Sequence, residues 1–214
     1  MAKSFIYALI GIIIVICAYF ILKNMTHMTD PVPLNQQSAE ASLLKPDQQN
    51  TTLKPLVNHS RMQSWKEFSS PSGDFKVRLP SSPQHIIDEI FDKNANESHK
   101  YQTFISTGDG GYVFMISVIT YPRGLEDDQL EKTLKDSVKE MIVRNKANVL
   151  KEMNLSQFQN RKSLDFSLLN GEMLVSGKVF AKGNNLYMLS MINRANEFNA
   201  EELAYFLNSF ATLK

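Results

Sequence analysis

Residues 163–192 read SLDFSLLNGEMLVSGKVFAKGNNLYMLSMI, and this stretch decides the fold. Apolar and polar residues alternate at its start, which is typical of a strand with one buried face. Asn170 and Gly171 form the strongest short hairpin signal in the chain, because both tolerate the positive φ of a tight turn. A second turn at 182–185 leads into the largely apolar run 186–192. The stretch therefore predicts a meander of three antiparallel strands.

Further strand signals lie upstream of this meander. Residues 75–83, FKVRLPSSP, alternate apolar with basic side chains and are ended by prolines. Residues 101–106 and 112–121 flank the glycine-rich segment TGDGG at 107–111, which predicts a hairpin. The second of these strands, YVFMISVITY, is apolar on both sides. It is predicted to be a central strand of the sheet, with helices over at least one face.

Two amphipathic helices complete the pattern. Asp128 with Glu131 has the spacing of a capping box, and Asn199 with Glu202 repeats it near the C-terminus. The first helix carries an apolar stripe of Leu130, Leu134, Val138, Met141, Ile142 and Val149. The second carries a stripe of Leu203, Phe206, Leu207, Phe210 and Leu213. Antiparallel hairpins with segregated helices predict an α+β fold.

Residues 5–22, FIYALIGIIIVICAYFIL, form an uncharged apolar run between Lys3 and Lys23. As a helix this run would be roughly 27 Å long, close to the thickness of the hydrocarbon core of a bilayer. A cleaved signal peptide is the alternative, but its apolar core is usually shorter and ends at small residues. Cys17 follows the bulky Ile16, which disfavours a lipid-modified cysteine. We therefore predict a transmembrane signal-anchor at 1–23.

The chain after the anchor divides into two parts. Residues 24–64 are polar, poor in aromatic residues and interrupted by four prolines, which predicts a flexible tether. Residues 65–214 have the size and patterning of one folded domain. A single N-terminal span, a tether and a compact domain is the usual layout of a signal-anchored extracytoplasmic protein. We therefore expect a single-pass protein of the inner membrane with its C-terminal domain in the periplasm.

Charge and cysteine content exclude several classes of protein. The chain has 23 basic and 22 acidic residues, and no basic stripe of the kind that nucleic-acid binders carry is visible. Its one cysteine lies in the apolar run, so the domain is predicted to have no disulfide and no cysteine-based metal site.

Residues that could carry chemistry were sought by type and spacing. The histidines, His27, His59, His85 and His99, lack the spacing of metal ligands; we expect His85 and His99 on the surface or in turns. Residues 108–111, GDGG, lack the lysine and the strand-to-helix context of a phosphate-binding loop. The acidic run 126–128 fits a helix start. The sequence thus predicts no catalytic, cofactor-binding or metal-binding residue.

Two local patterns resemble the PsbP/Mog1/DcrB-like group of proteins. Residues 75–83 are similar to the first-strand pattern F-x-V-x-(F/L)-P-x-x-P of that group. NLYML at 185–189, followed by FLNSF at 206–210, is similar to its C-terminal pattern. The resemblance covers residues 65–214 and implies an antiparallel sheet sandwiched by helices. It also implies a binding or assembly factor rather than an enzyme, and it transfers no functional residue.

Three functions are compatible with these features. The first is a non-catalytic binding or assembly-factor domain, anchored by residues 5–22, with a protein partner in the cell envelope. The second is an accessory structural subunit of an inner-membrane secretion or transport complex, in which the span itself would contact other helices. The third, a hydrolase, is the least expected, because no catalytic motif is found.

Overall fold

The computed structural model describes residues 59–92, 97–125 and 127–213. The predicted signal-anchor at 1–23 and the predicted tether up to residue 58 lie outside the described residues. Among the residues that the structure describes, no helix has both the length and the apolar character needed to cross a membrane.

Most of the described chain is β-strand, with three helices. The strands are β1 Lys66–Ser69, β2 Phe75–Leu79, β3 Gln84–Asp92, β4 Glu97–Thr107, β5 Val113–Thr120, β6 Asn148–Phe158, β7 Arg161–Asn170, β8 Met173–Lys182, β9 Asn185–Arg194 and β10 Ala211–Thr212. The helices are α1 His59–Gln63, α2 Asp127–Arg144 and α3 Ala200–Ser209.

The strands form two antiparallel sheets. The large sheet has the order β3-β4-β5-β9-β8-β7-β6, and a small sheet has the order β1-β2-β10. Strand β5 lies between β4 and β9, which confirms the predicted central strand. The small sheet brings the two ends of the domain together, because β10 pairs with β2.

The large sheet is covered on both faces. Tyr187 and Leu189 of β9 point into a core with Phe206 of α3 and with Phe75 of the small sheet. Met188, between them, points to the opposite face, into a core with the buried stripe of α2. The domain is therefore a mostly antiparallel β-structure with few helices, α2 on one face and α3 on the other. This agrees with the predicted α+β class.

The predicted meander is present and is one strand longer than expected. Gly171 has φ of 58° between β7 and β8, and Gly183 has φ of 60° between β8 and β9. Strand β6 precedes these three strands and pairs with β7. It was missed because most of its side chains are exposed, so its sequence lacks the alternation of a half-buried strand.

Helix boundaries differ in detail from those predicted. Helix α2 begins at Asp127, so Asp128 lies inside the helix and is not its N-cap. Val149 lies in β6 and is 55% exposed, so it does not extend the apolar stripe of α2. Leu213 follows α3 and is 49% exposed, so it is not part of the buried stripe there.

The N-cap of α3 is confirmed. The Oδ1 atom of Asn199 accepts a hydrogen bond from the backbone N–H of Glu201 at 2.9 Å. The carboxylate of Glu202, predicted as its capping-box partner, lies 3.6 Å from the guanidinium of Arg61. The same helix buries Phe206, and Phe210 follows it as the buried C-cap residue.

The start of the described domain is packed into the core. Met62 of α1 and Trp65 are both buried. The Trp65 ring makes edge contacts with Phe114 at 4.8 Å and with Tyr205 at 5.3 Å between ring centroids. Residues just before the predicted boundary at 65 thus contribute to the stability of the domain.

Candidate functional site

His85 and His99 lie in adjacent strands and not in turns. His85 of β3 stacks on Phe104 with ring centroids 4.1 Å apart. His99 of β4 packs edge-on against Tyr121 at 5.0 Å. His99 pairs with Ile90 of β3, so the two histidines are separated by about 17 Å along the strands. Among the described residues, no group of three or more His, Cys, Asp or Glu residues is placed to hold a metal ion.

The glycine-rich segment 108–111 is a tight connection between β4 and β5. Gly110 and Gly111 have φ of 77° and 78°, which favours glycine at both positions. The guanidinium of Arg61 donates a hydrogen bond to the carbonyl of Asp109. The segment is therefore held by the protein itself and serves as a turn, as expected from the sequence.

The methionines of the central strands fill the core. Met115, Met188 and Met191 are buried, and Met173 is partly buried against the same apolar cluster as Met115. The flexible, polarizable methionine side chain is well suited to filling irregular space in a core.

A buried lysine lies among three strands of the large sheet. The ammonium of Lys178 in β8 donates to Oγ of Ser156 in β6 at 2.9 Å. It also donates to the carboxylate of Asp165 in β7. Ser163 Oγ lies 2.8 Å from Ser156 Oγ, and the ring of Phe158 lies 5.7 Å from the ammonium. Sequence reasoning missed this cluster because only the strand register brings these residues together.

The lysine cluster is poorly suited to nucleophilic catalysis. A serine–lysine pair needs a neutral amine that can take the proton from the hydroxyl. In the structure, Lys178 instead donates to the carboxylate of Asp165 and to the hydroxyl of Ser156. The cluster is best explained as a hydrogen-bonded ion pair that compensates a buried charge.

A second polar cluster joins α1 to the rest of the domain. Burial raises the pKa of the Glu202 carboxyl, while the Arg61 guanidinium opposes that shift. The same guanidinium lies 5.3 Å from the centre of the Tyr112 ring. Burial also raises the pKa of Tyr112, whose hydroxyl donates to the carbonyl of Glu197 at 2.7 Å. Arg61 thus fixes α1 to the β4–β5 turn and to α3.

The outer edge of β3 is the described feature best suited to binding. Strand β3 is the first strand of the large sheet and pairs only with β4 in that sheet. The pairing runs through the whole strand, from Gln84 to Asp92, without a register shift. Two large apolar side chains of β3 are exposed, Ile87 at 58% and Phe91 at 49%.

Alternate residues of β3 direct their backbone N–H and C=O groups away from β4. The N–H of Glu89 donates to the side chain of its neighbour, with Asp88 Oδ1 at 2.8 Å. This places the N–H of Glu89 on the side away from β4. Backbone groups of alternate residues in a strand point to the same side, so Ile87 and Phe91 also present N–H and C=O groups outward.

The opposite edge of the sheet is protected. The pairing of β6 with β7 is interrupted between Leu150 and Glu152 by a register shift. Lys151 lies at that irregularity. Bulges and lysines are the devices that discourage an added strand at a sheet edge. Strand β3 has no such bulge and no lysine, arginine or proline.

Sequence analysis did not identify the β3 edge. The segment QHIIDEIFD of β3 carries adjacent apolar residues and no simple alternation, so it was not assigned. Its position at an edge follows from the strand order, which a single sequence does not give. The exposed pair Ile87 and Phe91, four residues apart on one face, is the signal that the sequence did contain.

Comparisons with known proteins give limited information. No family model matches the chain. No curated protein matches it either. Several solved structures are similar to parts of it, among them two that are remote in sequence.

One is a crystal structure from Bacteroides thetaiotaomicron VPI-5482, with 14% identity and a TM-score of 0.37. The match covers 70% of this chain and 48% of that chain, so this chain spans about half of the other. The second is the solution structure of cyanobacterial PsbP (CyanoP) from Synechocystis sp. PCC 6803, with 12% identity and a TM-score of 0.47. The match covers 69% of this chain and 92% of the PsbP chain. This chain is thus similar to a PsbP structure, but this sequence identity and this TM-score establish no function.

Proposed function

We propose that this chain is a membrane-anchored, extracytoplasmic binding or assembly-factor domain without catalytic activity. The observation that carries this proposal is the outer edge of β3, which pairs with no other strand among the described residues and exposes Ile87 and Phe91 beside outward-facing backbone groups. Exposed edges of this kind recruit an extended segment of another protein.

The two buried polar clusters, one around Lys178 and one around Glu202, are also compatible with this proposal. Lys178 is compensated by Asp165, and Glu202 by Arg61, so both clusters are engaged within the domain. Ion pairs of this kind compensate buried charges and stabilise a fold. The β3 edge, by contrast, offers hydrogen-bonding and apolar groups to a partner.

The anchor is proposed from the sequence. The apolar run 5–22 would hold the domain at the inner membrane, and the polar segment 24–58 would let it move over roughly 30 Å. The partner is then an envelope protein within that reach. The net charge of +1 gives no reason to propose a nucleic acid.

Two measurements test this function. Protease added to intact cells with a permeabilised outer membrane should degrade residues 65–214, as it does after lysis. A photo-crosslinking amino acid at position 87 should capture an envelope protein, whereas the same probe at Leu155 of the protected edge should not. Protection of the domain in such cells would refute the extracytoplasmic location. Identical adducts from both positions would refute binding through β3.

A further inference from the structure

We propose that β3 binds a basic, extended segment of its partner, which pairs antiparallel to β3 as an eighth strand of the large sheet. This inference rests on the proposed binding function and names the chemistry of the partner. It follows from the backbone direction, the charges and the exposed apolar side chains of one strand.

Backbone hydrogen bonds along the outer side of β3 would supply the affinity for the partner segment. Strand β3 pairs with β4 over nine residues and leaves its other side unpaired in the described sheet. With the N–H of Glu89 facing outward, the residues His85, Ile87 and Phe91 face the same way. An added strand would pair with these groups in an ordinary antiparallel ladder and would replace the Asp88 side chain as the acceptor for the N–H of Glu89.

The charges of β3 are of one sign. The strand carries Asp88, Glu89 and Asp92, and no lysine or arginine. Lys100 of β4 lies opposite Glu89, so part of that charge is offset from the inner side, whereas Asp88 lies opposite Tyr101. A basic partner strand would place its positive charges against these acids from the free side.

A second copy of this chain is disfavoured in the register that overlaps most. Two β3 strands related by a two-fold axis and centred on residue 88 overlap along the whole strand and place Asp88 against Asp88, and centring on residue 89 places Glu89 against Glu89. Like charges directly opposite each other destabilise a strand pair. The acidic residues therefore favour a partner of opposite charge over a second β3 strand in these registers.

The exposed apolar residues set the pattern of the partner. Ile87, Glu89 and Phe91 share one face of β3, and Asp88 lies on the other. An antiparallel partner would place apolar residues opposite Ile87 and Phe91 and basic residues opposite Asp88 and Glu89. Read in its own direction, the partner segment has the pattern apolar, any residue, basic, basic, apolar.

A synthetic peptide tests this pattern directly. The probe is Thr-Val-Thr-Lys-Lys-Val-Thr-Val-Thr with blocked ends, added to the full chain in detergent micelles. Its two lysines would lie opposite Glu89 and Asp88, and the flanking valines opposite Phe91 and Ile87. One control peptide carries glutamate in place of both lysines. A second keeps the lysines and is N-methylated at the backbone nitrogens that would face β3.

We expect the probe to bind and both control peptides to bind at least about tenfold more weakly. The glutamate peptide loses the attraction between its lysines and the acids of β3, and the N-methylated peptide loses the backbone hydrogen bonds to β3. Amide hydrogen exchange should slow at Ile87 and Phe91, which face outward. The amides of Ile86 and Asp88, which face β4, should show little change.

Variants of the chain localise the effect. Ile87→Lys should weaken binding of the probe about tenfold, because it adds a like charge and removes an apolar contact. Leu155→Lys on β6 is the matched control and should leave binding unchanged. Both positions are exposed, so neither change disturbs the core.

The proposal is overturned if the probe fails to bind, or if the N-methylated peptide binds as tightly as the probe. The second result would indicate plain charge attraction. These outcomes are independent of the location of the domain. A domain found in the cytoplasm that still gains protection at Ile87 would refute the proposed location and leave this inference standing.

Discussion

Gly177 occupies a position in β8 that no side chain can share. A Cβ atom built there would lie 2.0 Å from the carbonyl oxygen of Leu189 and 2.8 Å from Cα of Ser190, both in the neighbouring strand β9. Because both atoms belong to the backbone of the sheet, they cannot move aside without disturbing the pairing. The requirement for glycine here arises from close approach of two strands.

We predict that Gly177→Ala lowers the free energy of unfolding by about 3 kcal/mol, at the upper end of the usual cost of overpacking. Gly124→Ala is the matched control, because nothing lies within 4 Å of a Cβ at that position. Urea unfolding followed by Trp65 fluorescence measures both. Equal stability of the two variants would contradict the close approach.

Glu202 makes the stability of the domain depend on pH. Burial raises the folded-state pKa of the Glu202 carboxyl above its ordinary value, and the Arg61 guanidinium opposes only part of that shift. A carboxyl with a raised folded pKa holds its proton more tightly when folded. Its contribution to stability is therefore complete below about pH 4.5 and is lost as the pH rises through the folded pKa.

We predict that Glu202→Gln removes this pH-dependent loss. The difference in unfolding free energy, variant minus parent, should become more positive between pH 4 and pH 7. Urea unfolding across that range provides the measurement, with Glu201→Gln, an exposed residue of the same turn, as the control for the loss of one carboxyl. A difference that stays constant with pH for Glu202→Gln would contradict the raised pKa.

At the scale of elements, the cap of α3 shows what a local pattern can predict. Asn199 accepts from the N–H of Glu201, and the helix that follows buries Phe206 in the core beneath the large sheet. We predict that Asn199→Ala lowers the free energy of unfolding by about 1 kcal/mol. Asn208→Ala, on the exposed side of the same helix, should change it by less than about 0.5 kcal/mol. Thermal unfolding measures the difference, and equal effects of the two changes would contradict a role for the cap.

The elements that the sequence predicted are those with local signals. Phe75, Val77 and Leu79 alternate and are buried as expected, and Asn170 with Gly171 turns the chain as expected. Strands β3 and β6 were not predicted because they lie at the edges of the sheet. Edge strands bury little, so their sequences carry little periodicity.

The candidate site could not be predicted for the same reason. Its defining property is that, within the part of the chain that the structure describes, β3 has a neighbour on one side only, which depends on the order of all seven strands. The lysine cluster likewise depends on register, since Ser156, Asp165 and Lys178 lie on three different strands. Local patterns identify strands and turns, whereas sites of this kind require the pairing between strands.

At the scale of the whole molecule, the proposed anchor and the proposed binding edge are separate parts. The β3 edge lies within the folded domain, while residues 5–22 would lie in the bilayer. If binding depends on the edge, the span only needs to hold the domain at the membrane. If the protein is instead an accessory subunit of a membrane complex, the side chains of the span must contact neighbouring helices.

We predict that replacing residues 5–22 with an unrelated apolar span of equal length leaves the crosslink from position 87 unchanged. The expected result is the same adduct in the same yield, because a generic span preserves both location and reach. Membrane fractionation provides the control that the chimera is inserted. Full insertion with loss of the adduct would contradict this prediction and would favour the accessory subunit, in which helix contacts within the membrane select the partner.

Deletion of residues 5–22 should abolish the adduct in cells, while the probe peptide should still slow hydrogen exchange at Ile87 in the deleted chain. Together, these two changes separate the contribution of the anchor to location from that of β3 to recognition.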